Sequence, residues 1–224
     1  GFNGFVVSDW GATYNQVAAV AAGNDLTMPG PRGIQCLLQA LEKGSLTMEK
    51  LDSCVKNILH VVVDSTAQSG EYKAFDHKES LEAMEGVLKE AMVLLKNDGV
   101  LPLQTNVDVA FYGKRSKAIT ICPAGSSNVV TDLATNPYNC TAALLGEAHV
   151  TYQEANERTK YWIVVVGADG REGADREHLR MDEADREELE QAIVEAKAAN
   201  GKVILVINAT GPIELNDFSE QVNA

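Results

Sequence analysis

Basic residues are scarce in this sequence. Nineteen Lys and Arg stand against 32 Asp and Glu in 224 residues, a formal net charge of −13. That balance argues against nucleic acid as a partner, because such affinity rests largely on Lys and Arg neutralising phosphates. The acidity reads as solubility. Long apolar runs are lacking too: none approaches the roughly 20 residues that span a bilayer, so no membrane partner is expected. No stretch has the form of a signal peptide, which leaves the compartment open. Cysteine is sparse and unpatterned. Cys36, Cys54, Cys122 and Cys140 form no CxxC pair and no CxxC…H spacing, so no zinc site is indicated. Cys36 and Cys54 fall among helical apolar positions and read as core. Cys122 and Cys140 flank a loop that a disulfide can bridge.

What is present is organised in two parts, within a length that allows one large domain or two small ones. GFVVSDWGA reads as a short buried strand and a turn, residues 14–22 as a helix, and NDLTMPG as a second short strand. The stretch 33–63 carries Leu37, Leu38, Leu41, Leu51, Val55, Ile58 and Leu59 at helical spacing. Gly44 breaks it, and Ser45 or Thr47 can cap the second helix. Strand, helix, strand, helices is the order of parallel βα units. The pattern lapses over 64–76, a candidate linker. A second unit follows over 77–224. It opens with a helix predicted over 78–96, apolar at Leu81, Met84, Leu88, Met92 and Leu95. Strands are predicted at DVAFYG, at KAITIC or HVTY, at YWIVVVG and at KVILVIN, with an amphipathic helix between the last two. Nearly unbroken apolar strands fit a parallel sheet buried on both faces. Two strands do not close the first unit, and a complete (β/α)8 barrel takes about 250 residues. The expectation is an excerpt, or a piece of a larger assembly whose bare strand edges find another segment or chain.

Two places carry candidate chemistry. Asp9 follows a strand and precedes a helix, so it is either a helix N-cap or a reactive group at the C-terminal end of a barrel strand. Trp10 beside it is a flat apolar platform suited to a sugar ring, or plain core. The second place is VVVGADGREGADREHL, where a strand ends at Gly167 in a charged, glycine-rich loop. Its glycines run GxxGxxG with no helix directly after, a weak nucleotide-binding pattern. The loop is either a solvated charged turn or a carrier of a carboxylic acid whose pKa neighbouring anions lift. Asp169 and Asp175 push that way, and Arg171 and Arg176 push against it. Two carboxylates from separate units suggest glycoside hydrolysis, one attacking the anomeric carbon and the other protonating the leaving oxygen.

The segments GFNGFVVSDWGA, AAGNDLTMPG, EGVLKEAMVLLKNDGVLPL, GSS at 125–127, EGADREHL and KVILVINATGPIEL resemble glycoside hydrolase family 3, its β-glucosidases most of all. The resemblance implies an α/β fold, the C-terminal part of a (β/α)8 barrel over 1–63, then the linker, then an (α/β)6-type sandwich over 77–224, both incomplete. It implies a retaining exo-acting hydrolase that releases β-linked glucose or a related sugar through a covalent glycosyl-Asp intermediate, without a cofactor. Asp9 maps onto the nucleophile. Glu172 maps onto the acid/base, with Glu177 in reserve, and Trp10, Met28, Ser126 and Ser127 onto the substrate pocket. Six further barrel strands and the residues gripping the sugar hydroxyls belong to the family and are not in this sequence. The motif after EGADR also departs, reading RMDEAD without the family's proline. The implied partners are therefore a β-glycoside or oligosaccharide and a missing barrel segment or partner chain. The alternative is a non-catalytic binding or assembly piece.

Overall fold

A computed structural model describes every residue except 1, 3, 31, 32, 66–69, 71–73, 120, 122–124, 127, 130, 132 and 133. It divides into two compact units, Gly1–Gly86 and Val87–Ala224.

In the first unit, two extended segments lie side by side in parallel, joined at Val7 and Leu26. Between them runs α1 (Gln16–Ala22), capped by Asn15, whose side chain accepts from the Ala18 N–H, and ended by Gly23. Helices α2 (Ile34–Glu42) and α3 (Met48–Asp64) follow. Of the two caps expected for α3, Thr47 serves, its hydroxyl accepting from the Lys50 N–H. The helices close over a small core of Val20, Ala40, Leu46 and Cys54. Cys36, expected in that core, is exposed. The opening strand also differs from expectation. Val6 and Val7 are 45% and 49% exposed, because the segment has a neighbour along one edge and little over its faces.

Helix α4 (His77–Ala91) stops five residues before the predicted end. Met92 and Leu95 lie beyond it and are exposed. None of its residues is buried, so no packed apolar face holds the last predicted turn in helical form.

The second unit is built on strands β1 (Asp108–Tyr112), β2 (Val150–Tyr152), β3 (Thr159–Val166) and β4 (Lys202–Ile207). They form one parallel sheet in the order β2-β1-β3-β4. Of the two candidates for the second strand, HVTY forms it. KAITIC lies partly outside the described residues. Alternation along the strands feeds both faces. Ala110, Tyr112, Trp162, Val164 and Val166 join one core with α6 (Glu183–Ala198), which offers Leu189, Ala192, Ile193 and Ala196 at i, i+3, i+4 and i+7. Val109, Phe111, Ile163 and Val165 join the other, with Ala142 of α5 (Pro137–Leu145). Helix α5 is not among the predicted elements, although Asn136 caps it and Pro137 occupies its first turn. Cys140 on α5 is a free, exposed thiol, and Cys122 lies outside the described residues.

The strand order sets where a site can form. From β1 the chain moves one way to β2, then the other way to β3. The loops leaving the carboxyl ends of β1 and β3 therefore diverge, and such a switch point is where open α/β sheets bind ligands.

Candidate active site

In the first unit, Asp9, Trp10 and Met28 stand together at the carboxyl end of the two parallel segments. Ser8 N–H donates to the Leu26 carbonyl at 2.9 Å, Met28 N–H to Ser8 Oγ at 2.9 Å, and Gly11 N–H to the Met28 carbonyl at 2.8 Å. Asp9 caps no helix, since Asn15 performs that role for α1. Its Oδ1 accepts from the Trp10 N–H at 2.6 Å, and its side chain stands exposed. Trp10 is 70% exposed, so it is a free platform and not core.

Asp25 ties this tip down, a role the sequence did not signal. Its Oδ2 accepts from the Val6 N–H at 2.7 Å, and its Oδ1 from Asn57 Nδ2 of α3 at 3.1 Å. Burial pushes the Asp25 carboxyl up, but the bonds from Val6, Asn57 and Cys54 prevail and hold it below the usual carboxylate range. Burial, with Asp25 beside it, pushes the Cys54 thiol up.

In the second unit, Glu172 sits in a tight turn where Arg171 bridges Ala174 and Ala174 N–H donates to the Arg171 carbonyl at 3.2 Å. Gly173 takes φ +76° there, a conformation side-chain-bearing residues rarely adopt. The turn presents Glu172 to Gly125 and Ser126. Ser126 N–H donates to Glu172 Oε2 at 2.6 Å, and a Cβ on Gly125 would lie 2.5 Å from that oxygen. Two motifs 46 residues apart thus meet in space. Ser127 lies outside the described residues, and Glu177 is exposed farther along the loop.

The electrostatics of the loop differ from expectation. The Ser126 backbone N–H, then its hydroxyl, hold the Glu172 carboxyl below its ordinary value. Asp169 does not act to lift it, because its carboxylate pairs with Arg115 at 2.9 Å. Arg176 is turned to the Pro212 carbonyl at 2.6 Å.

Nothing in the sequence marks Arg115, since one Arg after a strand looks like a surface residue. It lies in a 3₁₀ turn (Lys114–Ser116) directly after β1, 1% exposed. Burial disfavours its charge, but hydrogen bonds to Asp169, Asp182 and Asp185 more than offset this and keep it protonated. The carboxyl end of β1 thus carries a buried cation already matched to carboxylates. Helix α6 beyond it opens with Glu183 and Asp185 in its first turn. Both features oppose a bound phosphate, and the nucleotide reading of the loop gains no support. Among the described residues, no group of His, Cys, Asp or Glu is arranged to hold a metal ion, and no helix is long and apolar enough to cross a membrane.

Known proteins bear on these two places. Residues 92–224 match the model of the glycosyl hydrolase family 3 C-terminal domain. The chain is 28% identical to thermostable β-glucosidase B of Acetivibrio thermocellus, over 95% of this chain and 31% of that protein. It is 33% identical to β-glucosidase B of Emericella nidulans, over 66% of this chain and 19% of that protein. The chain therefore spans less than a third of the length of these curated relatives. Among solved structures, β-glucosidase 3B from Thermotoga neapolitana in complex with α-D-glucose matches 99% of this chain and 38% of its own. The TM-score is 0.85 and the identity 23%. A Bifidobacterium adolescentis GH3 β-glucosidase matches 98% of this chain and 35% of its own, with a TM-score of 0.80 and 23% identity. These likenesses place the chain in an α/β fold with a parallel sheet.

Proposed function

The chain belongs to glycoside hydrolase family 3, and on that premise we propose that it carries both catalytic carboxylates of a retaining, exo-acting β-glucosidase. Asp9 is the nucleophile and Glu172 the acid/base. The supporting observation is the meeting of Glu172 with Ser126 at the switch point of the sheet, where two separate matched motifs form one place.

The Asp9 carboxylate attacks the anomeric carbon as its bond to the leaving oxygen breaks, and Glu172 gives that oxygen its proton. Glu172, now ionised, takes a proton from water. The resulting hydroxide attacks the same carbon, releasing the sugar and regenerating Asp9. Retention by this route needs the carboxyl groups about 5–5.5 Å apart. Trp10 stacks on the sugar or aglycone face, with Met28 beside it at the strand tip, while Ser126 engages Glu172 in the second unit. In the resting arrangement Ser126 favours the ionised form of Glu172. Proton donation therefore requires substrate to displace or weaken that bond.

In this reading residues 1–63 are the last βα units of a (β/α)8 barrel, 64–76 a linker and 77–224 an (α/β)6-type sandwich. The remaining barrel strands come from residues outside these 224 or from a partner chain. Supporting this are the bare faces of the opening segments, with Val6, Val7 and Leu26 all 38% exposed or more. A 2-fluoroglucoside incubated with the longest native polypeptide carrying this chain should label Asp9, located by peptide mass spectrometry. Label on any other carboxylate removes Asp9 from the role.

A further inference from the structure

Resting on the placement of Glu172 above and deepening it, we infer that Arg115 is a positioning residue for the acid/base loop. It ties both ends of that loop to the carboxyl end of β1.

The guanidinium makes three charge-assisted contacts in different directions. Nη1 reaches Asp169 Oδ1 at 2.9 Å, Nη2 reaches Asp182 Oδ2 at 2.7 Å and Nε reaches Asp185 Oδ2 at 3.1 Å. Asp169 starts the loop leaving β3. Asp182 is the N-cap position of α6, and Asp185 lies in its first turn. The neck between them is closed by backbone bonds: Asp182 N–H donates to the Gly167 carbonyl at 3.0 Å, and Gly167 N–H donates to Asp185 Oδ2 at 2.8 Å. Asp182 gives α6 no side-chain cap. Its carboxylate turns instead to Arg115 and to Lys114, 3.4 Å away. An N-cap bond is ordinarily stabilising, so its absence here marks the Arg115 contact as the stronger claim on Asp182.

Between these ends the loop is tied elsewhere by Glu172 on Ser126, by Arg176 on the Pro212 carbonyl and, nearer α6, by the Leu179 carbonyl, which accepts from the Glu214 N–H at 2.8 Å. The neck fixes where the loop leaves and rejoins the sheet, and with it the base from which the 171–174 turn projects. A planar guanidinium can serve three carboxylates at fixed angles. A lysine ammonium is a point charge on a flexible stem and does not impose those angles.

Arg115→Met would leave three carboxylates facing one another, that of Asp185 buried, and risks unfolding, so the informative variants are Arg115→Lys and Asp169→Asn. The first measurement is amide hydrogen exchange on the longest native polypeptide carrying this chain. In Arg115→Lys the amides of Ser126 and Ala174, which donate to Glu172 and to the Arg171 carbonyl, should exchange about tenfold faster, the factor one charge-assisted hydrogen bond is worth. Amides of β1 and β3 should be unchanged, and Asp169→Asn should give a smaller change in the same direction. Unchanged loop amides, or equal acceleration in the sheet, overturn the proposal.

The second measurement is kcat on an alkyl and a dinitrophenyl β-glucoside with the longest native polypeptide. Arg115→Lys should lower kcat on the alkyl substrate about tenfold more than on the activated one, with KM little changed. Equal losses on both, with Glu172→Gln showing the split, also overturn it. If Glu172→Gln shows no split, the acid/base assignment fails instead, and the exchange data alone decide whether Arg115 holds the loop.

Discussion

In Val87–Ala224 the central strand β3 ends in Val164, Val165 and Val166, each 0% exposed, with helices packed on both faces of the sheet. In Gly1–Gly86 the segment leading to Asp9 leaves Val6 and Val7 about half exposed and is held by Asp25, Ser8 and the Leu26 carbonyl. One candidate carboxylate hangs from a packed sheet through a loop. The other stands on a strand tip fixed by a few directional bonds. The first arrangement is sensitive to lost volume and the second to lost polar groups.

The largest effect expected on this contrast is catalytic. Glu172→Ala should reduce kcat/KM on unactivated glucosides by about 10²- to 10⁴-fold, the usual contribution of a positioned acid, and much less on dinitrophenyl glucosides. Equal loss on both would transfer the role to a neighbour such as Glu177. Leu189→Ala, at a side chain with no exposed surface, should destabilise the second unit by about 2–5 kcal/mol in denaturant titration. Val7→Ala in the half-exposed tip should cost less than about 1 kcal/mol. Similar costs would erase the distinction between the units.

Asp25→Ala should cost about 1 kcal/mol through its lost hydrogen bonds, read from unfolding of the first unit. Because the Asp25 carboxyl sits below its ordinary value in the folded chain, its contribution is complete above the usual carboxylate range. That contribution is lost as pH falls through the lowered value. An Asp25→Asn variant should lack this part of the acid sensitivity, and an identical acid profile would count against the tether. The smallest effect belongs to Ser126→Ala. Removing the hydroxyl takes away one of the bonds that lower the Glu172 carboxyl. The alkaline limb of the kcat/KM profile should then move to higher pH, and a shift the other way would contradict the contact.

The parallel sheet was legible because its strands announce burial on both faces. YWIVVVG and KVILVIN became β3 and β4, and DVAFYG became β1. Helix α6 was legible for a different reason, its apolar residues recurring at helical period. Helix α4 was over-extended because Met92 and Leu95 keep that period while nothing packs on them. Helix α5 is hard to read from the sequence because its first residues, Pro137, Tyr138 and Asn139, are better known from turns. The candidate residues Asp9, Trp10, Met28, Glu172 and Ser126 stood out through their motifs. The residues that hold them, Asp25 and Arg115, did not, since a lone charge reveals neither its burial nor its partners.

Composition and periodicity by themselves determined the acidic surface, the α/β class and the strands of the sheet, because side-chain polarity and spacing act along the chain. Only the tertiary structure decided that Asp9 caps nothing, that Glu172 meets Ser126, and that a buried arginine gathers Asp169, Asp182 and Asp185. Each of these depends on groups far apart in sequence being brought within hydrogen-bonding distance, and the packing of the fold alone determines which groups those are.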